Sequence, residues 1–331
     1  MSDLRVSVII VNWHSEMMLG SVLAALDRQT AAPWRIIVVD NGSAGALPLD
    51  RYRRSPVTLV RMARNAGFAA ANNRALQETA DCEWVALLNP DAMPEADWLE
   101  RLTDAAARHA DISAFGSKQL MAADPSRLDG LGDVYHVSGA AWRAGHGCPN
   151  DGRIDRPREI FAPCAAAALY RREALLDAGG FDEDFFCYFE DVDLGFRLRL
   201  LGHRSLLVPD AVVHHAGGGT SGGRHSDFSV FHGQRNLVWS YVKNMPGGYF
   251  WLYLPQHLLF NLASVLLFTL RGQGGVVLRA KWGALRGLPK MLAKRRVIQK
   301  RRRVAPGAVR AAMLAGWLAP YRRGLQSLLG K

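Results

Sequence analysis

The chain has 331 residues, 49% of them hydrophobic, enough to bury one large core or a core with an appendage, which excludes a disordered protein. The formal charge of +11 is unevenly spread: Asp227 is the last acidic residue, the 104 positions after it carry 18 Lys or Arg, and the first 227 hold 23 basic against 30 acidic residues. A mildly acidic body therefore precedes a strongly basic tail. Four scattered cysteines (Cys82, Cys148, Cys164, Cys187) without a C-x-x-C pair, and an opening apolar run of only six residues, read as a reduced, cytosolic compartment.

"VSVIIVNW" is a β-branched run, and Met18, Val22 and Leu26 after it have helical spacing. "RIIVVDNGS" predicts a buried strand stopping at Asp40. "VTLVRMARNAGFAAANNRAL" adds a third strand, a turn and a helix from about Phe68, and "WVALLNPDAMPEADWLERL" a fourth strand, an acidic turn and a helix. Strands that are almost continuously apolar and alternate with helices predict an α/β chain whose mostly parallel sheet is covered on both faces. Ligands of such sheets bind beyond the carboxyl ends of the strands, where Asn12, Asp40, Asn65, Asn89 and Asp91 stand. Pro125 to Arg158, rich in Gly, Asp and Arg with little periodicity, reads as a long surface connection. "APCAAAALYRREALLDAGGF" resumes with a strand and a short helix closed by Gly179 and Gly180. "HRSLLVPDAVVHH" predicts two short strands, followed by a glycine-rich loop, Gly217 to Gly223, that orders when something binds.

Three constellations carry chemistry. In "LLNPDA", Asp91 follows a buried strand in a turn held by Pro90, where one carboxylate oxygen can hold Mg2+ or Mn2+, although an N-P-D turn can also simply cap the next helix. His214 and His215 end a strand, and alternation sends their rings to opposite faces, so one at most reaches a given site. Glu190, Asp191 and Asp193 open a helix among Phe185, Phe186, Tyr188 and Phe189. One acid there is explained by the helix dipole; three against an aromatic wall point to a general base.

"VSVIIVNWHS", "IIVVDNGS", "RNAGFAAANN", "LLNPDA", "GGFDEDFFCYFEDVDLGFRLRLLG" and "VVHHAGGGTSG", in this order over Val6 to Met245, together resemble glycosyltransferase family 2, in particular its bacterial rhamnosyltransferase-like members. The resemblance implies a GT-A fold, a nucleotide-diphosphate-sugar donor, a divalent cation (Mg2+ or Mn2+) and inversion at the anomeric carbon. It assigns Val11 and Asn12 to the base pocket, Asp40 to the base or ribose and Asn65 to a place beside the nucleotide. Asp91 matches the metal carboxylate, while Asn89 replaces the first acid of the family's D-x-D-like element. His215 matches the metal-side histidine, with His214 the fallback, and Asp191 the catalytic base. Glu190 precedes that base. Asp193 and Arg197 match the rest of the helix motif, as acceptor contacts or as a structural pair, and Arg235 and Asn236 match an R-N pair of unassigned role.

"GGYFWLYLPQHLLFNLASVLLFTLRG" supplies about 23 largely apolar residues, enough to cross a bilayer, yet interrupted by Pro255, Gln256, His257 and Asn261, so a span and an interfacial helix both stand. Cations alternating with apolar segments favour an anionic membrane surface over nucleic acid. The expected organisation is a catalytic domain over 1–245, with a nucleotide half to about 120 and an acceptor half beyond it, and a membrane-associated region over 246–331. The expected activity is transfer of a sugar, L-rhamnose from dTDP-rhamnose first and a UDP-sugar second, to a lipid-linked envelope saccharide at the cytoplasmic face of the plasma membrane. A metal-dependent phosphohydrolase of nucleotide sugars and a noncatalytic nucleic-acid-binding protein are the alternatives.

Overall fold

A computed structural model describes residues 4–43, 45–217 and 226–321. Its strands are β1 (Val6–Asn12), β2 (Arg35–Asp40), β3 (Val57–Arg61), β4 (Trp84–Leu88), β5 (Ala92–Pro94), β6 (Ala114–Met121), β7 (Asp124–Gly130), β8 (Asp133–Tyr135), β9 (Ala141–Arg143), β10 (Arg158–Ile160), β11 (Ala167–Arg171) and β12 (Ser205–His215). Its helices are α1 (Glu16–Asp27), α2 (Phe68–Leu76), α3 (Trp98–Arg108), α4 (Arg172–Asp177), α5 (Glu190–Leu200), α6 (Asp227–Asn244), α7 (Tyr249–Leu270), α8 (Gly274–Arg301) and α9 (Pro306–Ala311).

The central sheet runs β10-β12-β6-β11-β4-β1-β2-β3. The half formed by β4, β1, β2 and β3 is wholly parallel, as are β6 and β12, while β11 lies antiparallel between β4 and β6. Period-two alternation divides the strand residues between two layers. Val8, Ile10, Ile36 and Val38 pack on α1 and α3, and Ile9, Ile37, Val39 and Leu87 on α2, α4 and α5. Both faces are covered, as the unbroken apolar runs require.

Two expectations change. Pro125 to Arg158 is not a surface connection: it contains β7, which pairs with β6, and the β8–β9 hairpin, and it buries Leu131, Tyr135, His136 and Val137. β8 and β9 have three residues each, and β7 is exposed over Asp124 to Arg127 and buried over Leu128 to Gly130, so no alternation shows. The two strands predicted from "HRSLLVPDAVVHH" are one, β12, whose register shifts between Val208 and Val212. Pro209, lacking an N–H, and the exposed Asp210 fall in that bulge. The tail, in turn, shares a core with the body: Trp239 and Tyr241 of α6, Ala284 and Met291 of α8 and Val309 of α9 pack with Tyr135, Phe161 and Phe196.

Candidate functional site

β1, β2 and β3 end in register, Asn12 beside Asp40 and Asp40 beside Arg61, so their terminal polar side chains form one rim. Asp40 accepts from the Ser43 backbone N–H at 3.0 Å and pairs with Arg61 at 3.2 Å. Asn12 is buried, its side chain donates to Ser43 Oγ at 3.4 Å, and its side-chain Oδ1 has no partner. Asn65 Oδ1 accepts from Asn41 at 3.0 Å and from the Gly67 N–H at 2.9 Å. Val11 is half-buried on the same strand end. Gly67, at φ +89°, meets the acidic half of the site: a Cβ there would lie 2.6 Å from the Phe186 carbonyl oxygen.

The turn after β4 is held by its backbone, Asn89 donating to the Ala166 carbonyl at 2.8 Å and accepting from Ala92 at 3.1 Å. Pairing of β5 with β12 sets Ala92 opposite His215 and brings Asp91 to that ring, with His215 Nε2 3.4 Å from Asp91 Oδ1. His215 Nδ1 lies 2.7 Å from Asp129 Oδ2, and Asp129 is also engaged by Arg143 and by His146. Burial alone would lower the pKa of His215; the two carboxylates outweigh it and raise it. Asp91 is held below the usual carboxylate range because its bonds to His215 overcome the cost of burial, and Asp129 likewise through His146, His215 and Arg143. His214 points to the opposite face and meets Glu95 at 3.2 Å.

The acids of α5 arrive through a strained approach. Phe186, Tyr188 and Phe189 have φ of 65°, 64° and 68°, in the left-handed region that non-glycine residues avoid. The neighbouring R-N pair holds that loop by its carbonyls. Asn236, fully buried, donates to the carbonyls of Phe185 at 2.9 Å, Cys187 at 3.0 Å and Tyr188 at 2.7 Å, and Arg235 donates to those of Asp184 and Phe185 at 3.1 Å each. Asp191 then accepts from the backbone N–H groups of Ala165 at 3.2 Å and Val192 at 2.9 Å. Glu190 is buried with one carboxyl oxygen unpartnered; burial, then the Asp191 charge, push its pKa well up. Burial and Asp191 do the same to Asp133. Crowding of buried acids thus works against ionisation of Glu190 and Asp133.

Arg143 joins the two halves. Its guanidinium pairs with Asp129, lies 3.2 Å from His215 Nδ1, and feels the charges of Asp133 and Asp191. Asp193 and Arg197 lie behind this cluster. Asp193 is fully buried, bonded to Arg197 at 2.8 Å, Lys243 at 2.7 Å and Asn244 at 2.7 Å, so the structural pairing uses both its oxygens and leaves no surface for an acceptor. Asp129, Asp133 and Arg143 escaped sequence reasoning because they fall in the segment read as a connection; "LDGLGD" and "WRAGH", with acids and a cation between glycines, were the available signal. Most of the glycine loop, residues 218–225, lies outside the described residues.

Known proteins share the family and the fold. The family model described as "Glycosyltransferase like family 2" matches residues 4–241. An N-acetylglucosaminyl-diphospho-decaprenol L-rhamnosyltransferase of Mycobacterium tuberculosis is 29% identical over 250 residues, covering 68% of this chain and 80% of its own. Among solved structures, GalNAc-T7 with UDP, GalNAc and Mn2+ superposes with a TM-score of 0.59 at 17% identity, over 79% of this chain and about half, 51%, of its own. A mannosyltransferase from Pyrobaculum calidifontis in complex with GDP-Man and Mn2+ gives 0.54 at 19%, over 94% and 86%. The chain belongs to the family 2 glycosyltransferases and is a glycosyltransferase on a GT-A fold.

Proposed function

We propose that the protein transfers a sugar, with inversion, from a nucleotide-diphosphate-sugar to a hydroxyl of a lipid-linked envelope saccharide at the cytoplasmic face of the membrane. dTDP-L-rhamnose is the first donor to test and a UDP-hexose the second; the M. tuberculosis relative, named for rhamnosyl transfer to a decaprenol-linked sugar, supports that order. The observation that carries the reading is the continuity of Asp91, His215, Asp129, Arg143 and Asp191 at one end of the sheet. It supports a donor diphosphate and an acceptor hydroxyl meeting across a single cleft.

The rim of Val11, Asn12, Asp40 and Asn65 takes the nucleoside, where the orphaned Asn12 oxygen can accept a hydrogen from it, and Asn89 lines the turn beneath the diphosphate. Among the described residues no group of three or more His, Cys, Asp or Glu is arranged to hold a metal. Asp91 and His215 supply two donors, which fits a cation that fills its shell with diphosphate oxygens and water. Bound there, Mn2+ or Mg2+ would neutralise charge gathering on the departing nucleoside diphosphate. Asp129, on His215 Nδ1, leaves Nε2 to face Asp91 and fixes the ring in that orientation. Asp191 takes the proton of the attacking hydroxyl, in line with donors that prevent it from turning away. Glu190 beside it, its pKa raised by burial and by the Asp191 charge, has one unpartnered carboxyl oxygen that can meet an acceptor hydroxyl. Residues 1–245 form the catalytic body in this reading, and 246–331 attach it to an anionic membrane surface.

The test is a panel of nucleotide sugars presented to purified protein with Mn2+ and a polyprenyl-diphosphate acceptor. Saturable donor binding and acceptor-dependent release of nucleoside diphosphate are expected. Release of phosphate from the donor at the same rate without acceptor would make the protein a hydrolase and overturn the proposal.

A further inference from the structure

The helix α7 packs half-buried Phe250, Tyr253 and Leu254 against the core and leaves much of its apolar surface uncovered. Its buried side chains are Gln256, His257 and Ser264, while Trp251, Leu258, Leu262, Leu266 and Leu270 are 71, 60, 68, 61 and 74% exposed. These positions recur every three to four residues after the first turn and form one outward stripe. α8 continues it: Val276, Val277, Ala280 and Ala284 face inward, and Leu278, Trp282, Leu285 and Leu292 face outward among the exposed Arg279, Arg286 and Arg296. The Arg286 guanidinium lies over the Trp282 ring at 5.5 Å. An exposed apolar stripe of this extent marks a binding surface.

By length α7 could cross a bilayer. Its inner face argues against that. Phe250 accepts from the Tyr241 hydroxyl at 2.6 Å, Tyr253 Oη from Arg310 at 2.7 Å and Asn261 Oδ1 from Lys281 at 2.6 Å, while Gln256 donates to the Gly316 carbonyl and His257 to that of Ser138. Along its first three turns the helix is tied to the body through Tyr241 and Ser138 and to the rest of the tail through Lys281, Arg310 and Gly316. Crossing the membrane would strip these bonds and carry their polar groups into hydrocarbon, at several kcal/mol for each unsatisfied group. Lying in the plane of the membrane costs none of them. A second copy of this chain is the wrong occupant, since pairing the face with itself would set arginines against arginines with no acid after Asp227 to separate them.

We infer that α7 and α8 as far as Arg296 form a monotopic docking surface, with the leucine and tryptophan stripe at the acyl boundary and Arg279, Arg286 and Arg296 among anionic lipid headgroups. This deepens the membrane part of the proposed function and rests on that reading only for the location of the acceptor. In flotation assays the full chain is expected to bind phosphatidylcholine vesicles that contain phosphatidylglycerol, weakly without it, and less as salt rises. The double substitution Leu262→Glu and Leu266→Glu should weaken vesicle binding by at least about tenfold, with melting temperature and nucleotide-sugar binding unchanged. Gly248→Cys and Gly275→Cys flank α7 in positions with no neighbour within 4 Å. In a Cys148→Ser background, an impermeant maleimide added outside the vesicles should label both. Labelling of one end only would show a span and overturn the inference, as would vesicle binding that ignores the glutamates. A lipid-free dimer dissociated by the same substitutions would overturn it in favour of a second copy. Loss of nucleotide-sugar binding in the wild-type chain would instead defeat the catalytic reading and leave the vesicle results to decide this one.

Discussion

Asp191 and Asn236 do different things for one reaction. The first is held by the backbone N–H groups of Ala165 and Val192, whereas Asp193 of the same helix is locked in a buried ion pair and Glu190 leaves one carboxyl oxygen unpartnered. Asp191→Asn keeps the shape and the ability to accept from Ala165, so kcat should fall by about 100-fold to 10,000-fold while donor affinity stays near wild type. Full residual turnover would remove Asp191 from the chemistry. Asn236 never reaches a substrate, yet its amide is a donor to three carbonyls of a loop with three left-handed non-glycine residues. Asn236→Ala should let that loop relax, lowering kcat more than donor KM and lowering the melting temperature. Asn236→Asp should not rescue it, because a carboxylate has no N–H to offer. Unaltered kcat in both variants would reduce the R-N pair to packing.

At the scale of elements, the catalytic helix is anchored from behind by charge. Lys243 of α6, almost fully buried, bridges Asp182 before the strained loop and Asp193 of α5, and Lys294 of α8 reaches Asp182 and Asp184. Lys243→Met would leave two buried carboxylates short of their cation, a loss of about 3 to 5 kcal/mol in denaturant unfolding. An equally stable variant would mean the network is replaceable. The contact between α6 and α8 is close because Gly287 sits under the Trp239 indole, where a Cβ would come within 2.5 Å of the ring. Thus the basic tail, legible as charge, is also part of the scaffold of the acids it follows.

For the whole molecule, the buried histidines set an acid limit. Burial lowers His257, between α7 and the body, to about 4, and burial and Arg235 lower His232, stacked on Phe186, to about 4 as well. A folded pKa below the unfolded value near 6.5 means stability that is present above 6.5 and lost as pH falls through about 4. Glu190 and Asp133, raised in the folded state, act in the opposite sense, so the sign is best read against a variant. The stability advantage of wild type over His257→Asn should shrink between pH 7 and pH 4, measured by thermal unfolding at constant ionic strength. An advantage independent of pH would contradict the buried neutral imidazole.

Local pattern by itself determined a great deal. Almost continuous apolar runs with polar ends specify the parallel half of the sheet and the rim of Asn12, Asp40 and Asn65, because a strand buried on both faces is written in consecutive residues. The turn around Asp91, the acids opening α5 and the basic tail were legible for the same reason. Tertiary structure decided what depends on distant partners: that β5 pairs with β12 and so brings His215 rather than His214 to Asp91; that Asp129 and Arg143 complete the cluster from a segment without periodicity; and that Asp193 and Arg197 turn inward. It also decided which side of α7 is inside. Hydropathy averages over a helix and records only that the segment is apolar, whereas packing chooses the stripe that is covered, and here it buries Gln256, His257 and Ser264 most deeply and leaves a leucine stripe outside.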